Sequence, residues 1–324
     1  MDFKDSDNRP EKDQRTESAG DAESIPFAGR YRILSCIGSG GMGAIYLAKH
    51  ELMNRLVALK MLLPHADDDD PTSLARFRQE AQALSQLSHP NIVTVFDFGV
   101  SDEGIPFLAM EYIEGLSLAE LLKNGGPLGP ARLVHIVAQV CDALEIAHGR
   151  GVIHRDLKPS NLIVTNSPTS KELVKIVDFG LAKVFREEDD DSLQLTKAGE
   201  CVGSPPYMSP EQCYSRPLDR CSDIYSMGCV IYEALAGAPP FSGGTYAEVA
   251  HKHCTQMPAS LVNKRSDIKN IRALESVILK AMAKEPAKRF NTMLELKQAL
   301  EQAAQEVSID WFSKAKTLWM RRRN

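Results

Sequence analysis

The sequence holds 324 residues, 43% of them hydrophobic and 25% charged, with a formal net charge of −5. That length calls for two domains or one domain of two lobes, and the composition excludes collagen-like, coiled-coil and wholly disordered chains. The acidic balance argues against a nucleic-acid surface, and no run of about 18 uncharged apolar residues offers a transmembrane helix.

Residues 1–26 carry eight acidic and four basic side chains and almost nothing apolar. Such a segment cannot bury enough surface to offset its ordering entropy, so residues 1–30 are expected to be a disordered polar tail, without the basic-then-apolar texture of a signal peptide. From Tyr31 the texture changes. Strand-like runs are expected at 31–37, 44–49 and 55–61, each bounded by glycine or polar turns. A helix is signalled next by Asp70 at an N-cap position and Pro71 just inside it, with the acidic run 67–70 at the positive end of the helix dipole. Further strands are expected at 92–98 and 107–112.

After Gly115 the helical period takes over. Leu133, Val137, Val140, Leu144 and Ala147 form one apolar stripe that ends at Gly149. A second helix spans 222–236 with Gly237 just past its end, a third is marked by Leu274, Val277, Ile278, Ala281 and Met282, and a fourth by 294–304. The class is α+β: a small strand-rich lobe with one main helix, then a larger, mainly helical lobe with a strand-and-loop insert near 152–180. The seven cysteines are odd in number and lack C-x-x-C spacing, so reduced intracellular thiols are expected.

Four constellations carry chemistry. Gly38-Ser39-Gly40-Gly41-Met42-Gly43-Ala44-Ile45 lies between two expected strands. Glycines let backbone approach phosphates closely, although alone this loop is equally a flexible glycine hairpin. Strand rather than helix follows it, which disfavours dinucleotide binding, and no Gly-Lys-Ser/Thr closes a Walker loop. Lys60 ends the apolar strand Val57-Ala58-Leu59-Lys60; an isolated lysine there is usually a solvated side chain. Its functional reading needs a carboxylate, and Glu80 on the next helix is best placed, while Arg76 and Arg78 keep a solvated helix face in play.

In His154-Arg155-Asp156-Leu157-Lys158-Pro159-Ser160-Asn161, an aspartate, a lysine and an asparagine fall within one short loop. Asp156 can orient a hydroxyl nucleophile, Lys158 can neutralise a moving phosphoryl group, and Asn161 can offer oxygen to Mg²⁺. Asp178-Phe179-Gly180 follows the apolar strand 173–177, and its carboxylate is a natural second metal ligand.

These four elements, in this order and spacing, resemble the eukaryotic-type (Hanks-type) serine/threonine protein kinases over about 31–305. The stretches FRQEAQALSQLSHPNIV, AHGRGVIHRDLKPSN and GSPPYMSPEQ are most similar to the bacterial branch. The resemblance implies a bilobal kinase fold with a small antiparallel-sheet N-lobe at 31–113 and a helical C-lobe at 114–305. It implies that Gly38, Ser39, Gly40, Gly41, Met42, Gly43 and Ala44 cover the phosphates of ATP, with Ile37, Ile45 and Ala58 above adenine and Ile163 below it. Met110 stands as gatekeeper, and Glu111 to Ile113 as the hinge. Lys60 would pair with the α- and β-phosphates and Glu80 would hold Lys60. Asp156 would be the catalytic base, Lys158 the γ-phosphate contact, and Asn161 and Asp178 the ligands of Mg²⁺, with Mn²⁺ as the alternative ion.

Ser209-Pro210-Glu211 stands where the family usually has Ala-Pro-Glu, with Arg289 the expected partner of Glu211; Asp223 is expected to tie down the catalytic loop. The segment between Asp178 and Glu211 would be the activation segment, with Thr196 and then Ser192 the candidate phosphorylation sites and Arg155 the cation for that phosphate. Ser204 matches the family's substrate-loop residue, and Lys158 goes with serine/threonine specificity. The resemblance thus implies phosphoryl transfer from ATP to protein serine and threonine, with a non-catalytic pseudokinase scaffold as the alternative. The segment 306–324 mixes aromatics with basic residues, and 311–323 is a candidate for peripheral contact with the inner face of an anionic membrane in a cytoplasmic protein.

Overall fold

The glycine-bounded β-rich runs near the N-terminus form long antiparallel strands. The computed structural model describes residues 25–40, 43–62, 71–165, 172–180 and 204–321, excepting the side chains of 71–73 and 308–321. Strands β1 (Ile25–Phe27), β2 (Tyr31–Gly40), β3 (Gly43–His50), β4 (Arg55–Leu62), β5 (Val95–Val100) and β6 (Pro106–Glu111) make one sheet in the order β1-β2-β3-β4-β6-β5. Every pairing is antiparallel, and the registers Gly40↔Gly43 and Ile45↔Lys60 place the glycine turn and Lys60 at the same end of the sheet.

The polar tail expected at 1–30 ends earlier than its composition suggests. Ile25–Phe27 pairs with β2, and Phe27 is buried with its ring 5.4 Å from that of Phe107. The buried Phe27 ring anchors this short edge strand over Tyr31, Val57 and Leu59, while Ile25 stays exposed. Helix α1 (Pro71–Ser85) begins at the proline, as expected, and buries Phe77, Ala81 and Leu84 against the sheet; Asp70 lies outside the described residues.

A second, three-stranded sheet joins β7 (Leu116–Ser117), β8 (Leu162–Thr165) and β9 (Leu173–Ile176). A parallel bridge between Ile92 and Ile176 stitches this insert to the loop leading into β5. Ser117 and Glu120 exchange hydrogen bonds in a capping box that starts α2 (Leu118–Gly125). Helix α3 (Pro130–Gly149) buries the apolar stripe read from the sequence.

Beyond lie α4 (Pro210–Cys213), α5 (Arg220–Ala236), α6 (Tyr246–Thr255), α7 (Leu261–Lys264), α8 (Ile271–Ala281) and α9 (Met293–Arg321). Helix α5 is the axis of this lobe, buried on nearly every face from Ser222 to Leu235. Asp219 caps its start, and Gly237, with φ of 79°, takes the left-handed conformation that ends it. The last helix runs well past the expected 294–304, so the backbone of the segment read as a separate tail continues α9 to Arg321.

Candidate active site

The glycine turn depends on one unusual backbone. Gly43 has φ of 143°, and a Cβ there would stand 2.1 Å from the Met61 carbonyl oxygen. Only glycine lets β3 lie this close to β4, and Lys60 is carried on that same stretch of β4. Gly41 and Met42 lie outside the described residues.

Lys60 is buried on β4, in register with Ile45 on one side and Leu108 on the other. Its ammonium bonds the Asp178 carboxylate. Glu80 instead meets the Arg155 guanidinium at 3.1 Å. The expected Lys60–Glu80 pair is therefore not formed in this arrangement: each partner has taken a charge from the other lobe. Opposite charges at the seam find the nearest counter-ion when no third charge separates them.

The loop 154–161 is fixed from beneath. Asp223, on α5, accepts the backbone amides of His154 at 2.8 Å and Arg155 at 3.0 Å, and its Oδ2 lies 2.7 Å from Nε2 of His148. Burial works to raise the Asp223 pKa, but the hydrogen bond and charge of His148 with the His154 amide prevail and hold the carboxyl below its ordinary range. Burial lowers the pKa of His154, whose ring stacks at 4.6 Å on Phe179 and bonds the Val177 carbonyl. Arg155 and Asp178 both have positive φ, 62° and 60°, so the two chain reversals bearing the reactive groups are both left-handed.

On this base the polar side chains converge. Lys158 Nζ lies 2.6 Å from Asp156 Oδ2 and donates to Ser204 Oγ at 2.8 Å. Asn161 donates through Nδ2 to the Asp156 carbonyl at 2.8 Å, and its own carbonyl accepts the Val177 amide at 2.9 Å. Gly180 N bonds the His154 carbonyl at 2.9 Å, so the loop 154–161 and the turn 178–180 are one hydrogen-bonded unit.

At the connection between lobes, Met110 is buried in the core and Ile113 packs on its edge. Ile37 is largely exposed, and Ala58 faces Met110 across the sheet. Ile163 pairs with Ser117 on the other side of the connection. Glu111 accepts a bond from Lys175 at 2.8 Å, a contact that the sequence reading missed because nothing in the local pattern marks Lys175. Gln212 was missed as well: it caps α4 with Ser209 and donates to the Arg155 carbonyl at 2.7 Å. Glu211 and Arg289 form the foreseen buried pair, at 2.6 and 2.8 Å. Thr196 and Ser192 lie outside the described residues.

The residues fit a nucleotide and a divalent cation. A backbone cradle without Cβ, a buried ammonium, and an aspartate beside an asparagine are the donor set that phosphates and a hard cation require.

The family model of the protein kinase domain matches residues 31–304. The serine/threonine-protein kinase Pkn3 of Myxococcus xanthus is 41% identical over 275 residues, covering 85% of this chain and 50% of that protein. PknB of Mycobacterium tuberculosis strain H37Rv is 36% identical over 275 residues, covering 84% and 42%. The chain thus spans half or less of the length of these curated relatives. The crystal structure of the M. tuberculosis PknI kinase domain superposes with a TM-score of 0.68 at 28% identity, over 88% of this chain and 99% of that one. The chain therefore belongs to the protein kinase family, in its bacterial serine/threonine branch.

Proposed function

We propose that the chain transfers the γ-phosphoryl group of ATP to serine and threonine hydroxyls of protein substrates. The single observation that carries this reading is the contact of Lys158 with both Asp156 and Ser204, which puts a base, a cation and the substrate loop within one hydrogen-bonded chain. In this reading Asp156 accepts the proton of the substrate hydroxyl through its carboxylate. Lys158 places a positive charge beside the moving phosphoryl group. Asn161 and Asp178 would hold the cation, Asn161 through the side-chain oxygen left over when its amide nitrogen donates to the Asp156 carbonyl. A bound Mg²⁺ or Mn²⁺ supplies charge neutralisation at the phosphates. Lys60, here bonded to Asp178, is the residue that would serve the α- and β-phosphates, with Glu80 its proposed partner.

Phosphate on Thr196, or next on Ser192, would compete with Glu80 for Arg155 and so favour the pairing of Glu80 with Lys60. The kinase unit is 31–305, and 311–323 is proposed to touch an anionic membrane from the cytoplasmic side; sedimentation with phosphatidylserine vesicles tests that contact.

The principal test incubates the protein with MgATP beside Asp178→Asn and maps phosphosites by mass spectrometry. Phosphate in the wild type alone, at Thr196 or Ser192, is the expected result. A folded, ATP-binding wild type that incorporates none overturns the enzyme reading.

A further inference from the structure

Asp156 follows a residue held in a disfavoured conformation. Arg155 has φ of 62°, a left-handed backbone in which a Cβ crowds the following carbonyl. The Asp156 amide donates to the His154 carbonyl at 2.8 Å and closes a three-residue turn about Arg155. Such a turn is rare and strained when its central φ is positive, and it persists only where the surroundings hold it. The Arg155 amide donates to Asp223 Oδ1 at 3.0 Å, its guanidinium meets Glu80 at 3.1 Å, and its carbonyl accepts Gln212 Nε2 at 2.7 Å.

The carbonyl contact fixes more than its own atom. The peptide unit between Arg155 and Asp156 is planar, so that carbonyl and the Asp156 amide turn together. The His154 carbonyl holds one end of the plane and Gln212 holds the other. With both ends held, the direction in which the Asp156 side chain leaves the backbone is set.

Gln212 belongs to a stretch that also grips the loop elsewhere. Its Oε1 accepts the Ser209 amide at 3.0 Å, which completes the N-terminal cap of α4. Ser204, at the start of the stretch, accepts Lys158 Nζ at 2.8 Å. Residues 204–212 thus touch the loop on both sides of Asp156, at Arg155 and at Lys158. Glu211, beside Gln212, is paired with buried Arg289, so the short helix that carries the amide is itself anchored.

We propose that Gln212 is a positioning residue for phosphoryl transfer: its side-chain amide holds the Arg155–Asp156 peptide plane and so aims the Asp156 carboxylate at the substrate hydroxyl. The nitrogen serves the loop and the oxygen serves the helix cap, so the placement of 204–212 passes to the base through one amide group. The role of Asp156 rests on the kinase reading; the grip of Gln212 on the loop does not.

The test separates nitrogen from oxygen in the full chain. Gln212→Glu keeps an acceptor for the Ser209 amide but turns a second acceptor towards the Arg155 carbonyl. Gln212→Met keeps the length and loses both bonds without adding charge. Ser209→Ala, the residue the family usually has there, removes the cap hydroxyl and leaves the Gln212 nitrogen in place. Hydrogen exchange read by mass spectrometry should quicken by about tenfold or more in peptides spanning 154–158 in both Gln212 variants, with α5 exchanging as in wild type. Ser209→Ala should leave 154–158 unchanged. In kinetics, both Gln212 variants should lose about tenfold to a hundredfold in kcat, with KM for ATP and for a peptide substrate within about twofold.

Wild-type exchange at 154–158 in both Gln212 variants overturns the grip, whether or not the protein phosphorylates anything. Faster exchange with kcat unchanged, or a loss of kcat shared by Ser209→Ala, overturns the positioning role. A wild type that binds MgATP and phosphorylates nothing overturns the kinase reading and the positioning role with it, while exchange still decides the grip.

Discussion

The two halves of the site hold their charges in opposite ways. Beneath the catalytic loop, the side chains of Asp223 and His148 are 1% and 3% exposed, and those of Glu211 and Arg289 are 8% and 0% exposed. At the seam between lobes, Glu80 is 34% exposed, Arg155 20% and Asp178 23%. A buried charge that loses its partner has nothing to replace it, whereas a charge reached by water can change partner at little cost. The lower half is thus a fixed scaffold, and the upper half is a set of exchangeable pairs. In this set Lys60 bonds Asp178 and Glu80 meets Arg155.

The largest effect should come from the residue that joins scaffold to chemistry. Asp156→Ala should lower kcat by about 10²–10⁴-fold with a much smaller loss of thermal stability, since Asp223 still holds the loop backbone. An equally large loss of stability would place Asp156 with the scaffold.

Arg289→Ala, in the lower half, should do the reverse. It strands the buried Glu211 carboxylate, which keeps Ser222 but loses its counter-ion, and should cost about 3–5 kcal/mol in urea unfolding. A change near zero would mean that water reaches Glu211 and that the two halves are less distinct than their exposures suggest.

The pH dependence separates them further. Burial, aided by the positive charge of Lys284, lowers His253 to about 4, against the pull of the Pro205 and Pro206 carbonyls. Because the unfolded histidine keeps its ordinary value near 6.5, the unfolded chain binds the proton first as the pH falls. The contribution of His253 is therefore whole above about 6.5 and is lost between about 6.5 and about 4, by up to about 1.4 kcal/mol per pH unit. Buried His154 adds loss in the same direction. Urea unfolding of His253→Gln across this window should give a shallower slope than wild type; parallel curves would refute the assignment to His253.

Glu80→Gln should have the smallest effect on stability, under about 1 kcal/mol, because its pair is partly solvated. It should still slow phosphotransfer if Glu80 moves to Lys60 during turnover. Unchanged kcat with a weakened Arg155 contact would leave Glu80 as a surface pair alone.

Much of this was legible in the chain. Pro71, Gly237 and the stripe from Leu133 to Ala147 announced their elements, because capping and amphipathic period are local. The motif spacing singled out Lys60, Asp156, Lys158, Asn161 and Asp178, and the structure brings these together at the lobe junction in direct contacts. Phe27 escaped notice because an edge strand of three residues has no period to read. Lys175, Gln212 and His148 escaped because each is placed by partners 64, 57 and 75 residues away in the chain.

By itself, then, the sequence determined the longer strands and helices, the family and the chemical types available to the site, since these depend on neighbours within a turn or a motif. Only the tertiary structure decided which charges meet at the seam between lobes. Whether Lys60 bonds Glu80 or Asp178 depends on distances across the lobes that no local pattern encodes.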